Sequence, residues 1–273
     1  MKKVLNIVLL SIFSLTVISC GEKEESTDST ATTTSNPLFV AVGDNGTIIT
    51  SSDGTTWTSR TSGTTEKLRG GAYGKSTLVV VGFSGTILTS SDGTGWTTKT
   101  STDTTKNLWG VTYGNSTWVT NGDNGSIFTS SDGTSWDNRT SASGTTEEFN
   151  EVIYENSLFV AFGNNGTIRT SSDGTTWDNR TSGTSNNLPG GTYGNNIFVT
   201  VGDSGTILTS SDGTTWTSRT SGVTERLRGI TYGNSIFVAV GRSGTILTSS
   251  DGTTWTSRTS GTTEHFRRVA YKE

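Results

Sequence analysis

Residues 249–255 read Ser-Ser-Asp-Gly-Thr-Thr-Trp, and this seven-residue motif occurs six times along the chain. Successive copies are 39, 40, 41, 39 and 39 residues apart, and only Gly95 and Ser135 depart from the pattern. A fixed period of this length is the signature of a repeat architecture. The repeated acid and indole positions are Asp53, Asp92, Asp132, Asp173, Asp212 and Asp251, and Trp57, Trp96, Trp136, Trp177, Trp216 and Trp255.

One full repeat, residues 227–260, predicts four short strands joined by tight turns. Residues 227–232 form a first predicted strand and 235–240 a second, strongly apolar one, and the turns between strands carry Gly, Asn, Asp and Ser, which tolerate positive φ. Helical periodicity is absent. About 40 residues and four strands are typical of one propeller blade. The sequence therefore predicts an all-β, six-bladed β-propeller with four-stranded antiparallel blades.

The two ends of the repeat array are complementary. The first repeat begins at Leu38 with a second-strand sequence, whereas the last residues, 266–271, match the first strand 227–232. We expect the C-terminal strand to complete the first blade and close the ring, which removes exposed sheet edges.

The N-terminus is typical of a secretory signal. Lys2 and Lys3 precede a mostly apolar stretch, residues 4–18, that is short for a membrane span. Its end, residues 17–20 (Val-Ile-Ser-Cys), resembles the lipobox of bacterial lipoproteins, which implies cleavage before Cys20 and acylation of that cysteine. The predicted divisions are a signal peptide at 1–19, an acylated Cys20 with a flexible Ser/Thr-rich tether at 20–36, and the propeller at 37–273.

The residues after Cys20 indicate where the anchor lies. Gly21 resembles the outer-membrane sorting pattern of some bacteria, and Lys23-Glu24-Glu25 resembles a surface-export signal. We therefore expect a monomeric, lipid-anchored protein of the cell envelope, in the outer membrane, with either periplasmic orientation or exposure at the surface. Without residues 1–19 the chain has 18 basic and 24 acidic residues, a net charge of −6, which gives no general attraction to nucleic acid.

The Ser-x-Asp-Gly-x-x-Trp motif resembles the Asp-box, or BNR, repeat of sialidases and related propellers, although common Asp-boxes have one more residue between Asp and Trp. The resemblance spans about residues 37–273 and implies a structural role for the six Asp and six Trp residues, away from the active face. Isolated aspartates about 40 residues apart do not supply the ligands of a calcium ion. We expect no metal and no cofactor.

Positions that break the repeat are the candidates for ligand binding. The residue after the first apolar position of each first strand varies, as does one residue in the turn between the second and third strands. Convergent arginines at these two positions suit a carboxylate, a sulfate or an acidic peptide. The alternative is a set of solvated rim charges. The candidate ligand-binding residues are Arg69, Arg228, Arg267, Arg242 and Trp109.

Three function classes remain open. A binding platform for an envelope protein or glycan is favoured. The alternative is a sialidase-like glycoside hydrolase, but every tyrosine belongs to the repeat and no separate acid pair stands near the arginines. The third class is a spacer without a ligand. The photosystem II assembly and stability-factor propellers are similar in repeat style, but they typically have seven blades, so their role is not carried over.

Overall fold

The computed structural model describes the backbone of residues 16–19 and residues 38–100, 103 and 105–271. Cys20 and the predicted tether, 20–36, lie outside the described residues. No helix in the described part of the chain is long and apolar enough to cross a membrane. These residues form six antiparallel sheets of four strands, which confirms the predicted all-β class and the number of repeats.

The sheets are numbered 1 to 6 in chain order, and each runs from an inner first strand to an outer fourth strand. The strands are β1 (Thr16–Ser19), β2 (Phe39–Val42), β3 (Ile48–Ser51) and β4 (Thr58–Arg60) in sheet 1; β5 (Leu68–Gly74), β6 (Thr77–Gly82), β7 (Thr86–Ser90) and β8 (Thr97–Thr100) in sheet 2; β9 (Leu108–Gly114), β10 (Thr117–Gly122), β11 (Ile127–Ser130) and β12 (Asp137–Asn138) in sheet 3; β13 (Phe149–Glu155), β14 (Leu158–Gly163), β15 (Ile168–Ser171) and β16 (Asp178–Arg180) in sheet 4; β17 (Gly190–Gly194), β18 (Ile197–Val201), β19 (Ile207–Ser210) and β20 (Thr217–Arg219) in sheet 5; and β21 (Leu227–Gly233), β22 (Ile236–Gly241), β23 (Ile246–Ser249) and β24 (Thr256–Arg258) in sheet 6.

The first strands of consecutive sheets lie side by side, in the order β1, β5, β9, β13, β17 and β21, and are arranged about a common axis. Glycine permits this close approach. A Cβ on Gly70 would lie 2.7 Å from the carbonyl oxygen of Trp109, and a Cβ on Gly74 would lie 2.4 Å from the Tyr113 ring. The repeated tyrosines therefore pack against the preceding sheet.

Apolar side chains fill the spaces between consecutive sheets. Val160 and Phe162 of sheet 4, for example, pack with Phe198, Leu208 and Trp216 of sheet 5. Among the described residues, five such clusters occupy the five junctions from sheet 1 to sheet 6. Each motif tryptophan that contributes to a cluster supplies the largest side chain there, which stabilises the stack through burial of apolar surface.

The motif itself forms the turn between the third and fourth strands. In sheet 3 the Asp132 carboxylate accepts hydrogen bonds from the backbone N–H groups of Thr134 (2.7 Å) and Ser135 (2.9 Å), while Ser130 Oγ accepts one from the Gly133 N–H at 2.8 Å. The Trp136 indole N–H donates to the Gly133 carbonyl at 3.1 Å. The same turn recurs in every sheet, as the aspartate-to-amide bonds show.

These hydrogen bonds hold the motif aspartates in the charged form. Hydrogen bonds from turn amides and hydroxyls lower the pKa of the Asp92 carboxyl to about 2, the Thr94 side chain being the largest cause. The other five motif aspartates have pKa values lowered further by the same kind of contact. The carboxylate is thus a structural acceptor for the turn.

The strand that pairs with β2 differs from the expectation. β1, residues Thr16–Ser19, pairs antiparallel with β2, with Thr16 opposite Val42 and Ser19 opposite Phe39. Residues 266–271 are not in a strand. A sheet edge presents unpaired N–H and C=O groups, so a β-prone segment such as Thr-Val-Ile-Ser can satisfy them. The expected closure of the first sheet by the C-terminal strand is therefore not present in the described structure.

The C-terminal residues nevertheless lie where a seventh first strand would begin. The Phe266 N–H donates to the Gly241 carbonyl at 2.9 Å, as Leu188 does to Gly163 at 3.0 Å. A Cβ on Gly233 would lie 2.1 Å from the Tyr271 ring, which repeats the contact of Gly74 with Tyr113. The outer side of this segment is open, and Tyr271 is 42% exposed.

Candidate functional site

The variable residue of each first strand occupies a β-bulge. In sheet 2 Leu68 lies opposite Gly82 and Gly70 lies opposite Val81, so Arg69 is the extra residue on its strand. The register shifts at the same place in three other sheets, around Trp109, Asn150 and Arg228. A bulge redirects the side chain and interrupts the ladder, and bulges are frequent beside binding sites.

The variable residue of the turn between the second and third strands lies close to these bulges. Arg69 Nη2 is 3.5 Å from the Asp44 carboxylate of the preceding sheet. The Trp109 indole N–H donates to the Asp123 carboxylate at 2.8 Å. The two variable positions therefore form one surface around the axis, which we call the mouth. Its turn residues are Asp44, Phe83, Asp123, Asn164, Asp203 and Arg242.

The mouth carries a group of four arginines at sheet 6 and the segment that follows it. Arg226 Nε is 2.8 Å from the Asp203 carboxylate. Burial lowers the pKa of the Arg228 guanidinium, and repulsion from Arg226, Arg242 and Arg267 adds to this shift, whereas Asp203 opposes it. An arginine remains protonated in proteins despite such shifts. These four residues are the basic cluster: Arg226, Arg228, Arg242 and Arg267.

Arg69 belongs to a different part of the mouth. Its guanidinium lies 5.1 Å from the centre of the Phe83 ring and 5.9 Å from that of Trp109. The two rings meet edge to face with centroids 5.3 Å apart, and Lys67 Nζ lies 5.8 Å from the Phe83 ring centre. We call Phe83 and Trp109 the aromatic pair.

The side of the mouth at sheets 3 and 4 is acidic. Burial and the nearby Asp123 charge raise the pKa of the Glu148 carboxyl. Glu147 accepts a hydrogen bond from the Asn165 amide at 2.8 Å. Glu151 accepts one from the Gly191 N–H at 3.1 Å.

Glu151 also forms an ion pair with Arg268, 2.7 Å away. Both residues occupy the same position of the repeat, three residues before the conserved tyrosine, where the other first strands carry Gly70, Gly110, Gly190 and Gly229. Glu151 lies in sheet 4 and Arg268 in the segment after sheet 6, so the pair joins two first-strand positions that are three repeats apart. The Glu151 charge raises the pKa of Arg268.

The structure thus divides the predicted candidates. It brings Arg228, Arg242 and Arg267 together with Arg226, and it places Arg69 beside Trp109 and Phe83. The Glu151–Arg268 pair was missed, although two charged residues in a position otherwise held by glycine were a usable signal. His265 accepts a hydrogen bond from the Ser243 N–H at 3.0 Å. Among the described residues, no three His, Cys, Asp or Glu side chains are grouped to hold a metal ion.

Three solved structures are similar to this chain. YCF48 bound to a D1 peptide has a TM-score of 0.65 at 18% identity over 81% of this chain and 76% of that chain. Virginiamycin B lyase from Staphylococcus aureus has a TM-score of 0.74 at 10% identity over 90% of this chain and 88% of that one. The WD40 β-propeller domain of Doa1 has a TM-score of 0.60 at 14% identity over 81% and 78%. The chain has a β-propeller fold.

Each sheet is therefore one blade of the propeller, although closure of the ring is not shown. No protein-family model and no curated protein matches the chain. At 10–18% identity these similarities concern the fold alone. The resemblance of the repeat to sialidase Asp-boxes stays a prediction, because no comparison identifies such a family.

Proposed function

We propose that this propeller is a lipid-anchored binding module of the cell envelope, whose mouth holds an acidic segment of a partner protein in the basic cluster. The observation that carries the proposal is Arg228. Its Nε is buried without a hydrogen-bond partner among the described residues, and it faces three further arginines and one aspartate, Asp203. A buried donor without an acceptor destabilises the protein, and so does uncompensated like charge. A bound anion would remove both costs.

The chemistry favours carboxylates. A guanidinium presents a planar fork of donors that matches a carboxylate bidentately. Arg242 and Arg267 are exposed, so a segment carrying several acids would contact them without further rearrangement. Among the similar structures, one holds a peptide, which supports a protein segment over the alternative of a glycan.

Titration calorimetry with a capped Glu-Glu-Ala-Glu-Glu peptide tests this proposal. We expect binding that weakens with added salt, because the contacts are between exposed charges. Arg228→Asn with Arg267→Asn should weaken it at least roughly tenfold, and Asn already occupies the equivalent bulge at Asn150. The control, Arg219→Gln with Arg258→Gln, removes the same charge from outer strands. Equal affinity in the two double variants, or no binding at all, would refute the proposal.

The proposed lipid anchor is inferred from the sequence alone. Several acyl chains on Cys20 would hold the domain durably at a bilayer, at about 0.8 kcal/mol for each buried CH₂ group. Labelling cells with a radioactive fatty acid should mark the protein, and Cys20→Ser should remove the label and leave the protein unprocessed. Outer-membrane sorting and surface exposure remain part of the proposal, to be tested by fractionation and by protease treatment of intact cells.

We further propose that removal of residues 1–19 lets residues 266–271 take the place of β1 beside β2. Three observations support this closure: the Phe266–Gly241 hydrogen bond, the Tyr271–Gly233 contact and the Arg268–Glu151 ion pair. In the processed protein, hydrogen exchange of the 266–271 amides should be slow. Glu151→Arg and Arg268→Glu should each accelerate it, and the double exchange should restore protection. Fast exchange in the unaltered processed protein would contradict closure.

We propose no catalytic activity. Similar structures include lyases, so the fold does not decide the matter. Three acids of the described mouth already have partners: Asp123 accepts a hydrogen bond from Trp109, Asp203 pairs with Arg226, and Glu151 pairs with Arg268. A fluorogenic sialoside should not be hydrolysed, and turnover that disappears in Glu151→Gln would refute this part of the proposal.

A further inference from the structure

The aromatic pair is built from two separate departures from the repeat. Phe83 stands where the other turns carry Asp, Asn or Arg, and Trp109 stands at a repeat position that otherwise carries Arg, Asn or Pro. Both are partly exposed at the mouth. Neither is needed for the blade, because the other four blades form without either residue. The partly exposed, adjacent rings of Phe83 and Trp109 therefore indicate a role in binding and not in folding.

The pair is also held rigidly. The Trp109 indole is fixed by its hydrogen bond to Asp123, and the Phe83 ring packs edge to face against it. Arg69 and Lys67 lie over the rings and present positive charge beside an apolar surface. Rigid aromatic side chains with a neighbouring arginine are the usual anchors of protein interfaces, because little conformational entropy is lost on binding.

We propose that the aromatic pair is a second binding site of the mouth, which takes an aromatic side chain of the same acidic partner segment. The ring of the ligand would pack on Phe83 and Trp109, and a neighbouring carboxylate would contact Lys67 and Arg69. The positive charge around the aromatic pair selects this ligand, since a basic segment would be repelled by Arg69 and Lys67 and by the basic cluster. This inference rests on the proposed function.

The test compares the Glu-Glu-Ala-Glu-Glu peptide with Glu-Glu-Phe-Glu-Glu. We expect the phenylalanine peptide to bind roughly tenfold more tightly. The variant Phe83→Asp with Trp109→Arg restores residue types that other blades carry at these positions and should fold. It should abolish the difference between the two peptides and leave binding of the alanine peptide within about twofold. Ile236→Thr, an exposed apolar residue outside the mouth, is the control and should preserve the tenfold difference.

A second readout locates the contact. The indole N–H resonance missing from the spectrum of Trp109→Arg belongs to Trp109, and it should shift when the phenylalanine peptide is added. Equal binding of both peptides by the unaltered protein would overturn the aromatic site and leave the proposed function standing. A tenfold difference that survives in the double variant would also overturn it. Failure of both peptides to bind would refute the proposed function and this site together.

Discussion

The turn between the third and fourth strands and the turn between the second and third strands behave in opposite ways. The first has nearly the same seven residues in all six blades, and its side chains bond to its own amides. The second keeps its glycine but changes its exposed residue from blade to blade. Both turns have a conserved backbone. The fold therefore depends on the side chains of the motif, whereas at the mouth it depends only on the backbone conformation of the turn.

The largest expected difference in stability between the two regions comes from removing one tryptophan from each. Trp136 belongs to the motif and is 4% exposed, whereas Trp109 lies partly exposed at the mouth. Trp136→Ala should lower the free energy of unfolding by about 3–5 kcal/mol, because it leaves a cavity in the junction of blades 2 and 3. Trp109→Ala should lower it by less than about 1.5 kcal/mol. Urea denaturation of both variants provides the measurement, and equal losses would contradict the division.

The conserved backbone of the mouth gives the next largest effect. Gly166 has φ +67°, and a Cβ there would lie 2.0 Å from the Thr184 carbonyl oxygen. Gly183, in the same blade, has φ +73° with open space around the Cβ position. Gly166→Ala should cost about 2–4 kcal/mol through strain and overlap, and Gly183→Ala about 1–2 kcal/mol through strain alone. Equal urea midpoints for the two variants would show that the backbone of the turn shifts to accommodate the added methyl group, and would contradict this prediction.

The smallest effect at a single site is the titration of a motif aspartate. Its pKa is lowered in the folded protein, so its stabilising contribution is complete above the ordinary value near 4 and is lost as the pH falls through the folded value. For Asp92 that window extends down to about 2. The thermal unfolding midpoint should therefore decrease as the pH is lowered from about 4 to about 2.

A matched pair of variants assigns that acid sensitivity. Asp132→Asn should reduce stability at neutral pH and make the loss between pH 4 and pH 2 smaller than in the unaltered protein. Asp137→Asn, which removes a charge from the following strand, should leave the acid sensitivity unchanged. If both variants show the same acid loss as the unaltered protein, the motif carboxylates are not its source.

Sequence reasoning predicted the all-β class and the number of blades, because both rest on a period that occurs six times. Strand pairing of the first blade was not predictable in the same way. Two segments, 16–19 and 266–271, both suit the free edge of β2, and alternation of apolar residues does not rank two candidates for one edge. A competition between segments depends on which of them is present in the chain.

Arg69 and Arg228 occupy the same repeat position, and sequence order alone does not show that their side chains have different partners. In the structure Asp44 and the aromatic pair contact Arg69, whereas Arg226 and Asp203 act on Arg228. Side-chain partners of this kind depend on bulge geometry, which a strand pattern does not contain. The Phe83–Trp109 contact likewise joins two blades at positions that only the register brings together.

In a closed ring, the Glu151–Arg268 ion pair would also favour one number of units over others. Nearly interchangeable repeats offer little to distinguish a ring with the right number of units from one that has skipped or gained a unit. Two charges at the same repeat position lie directly opposite each other only when the ring has an even number of units, because only then does each unit have a unit opposite it. A closed ring of six units would satisfy this condition, whereas a closed ring of five or seven would leave both charges misaligned.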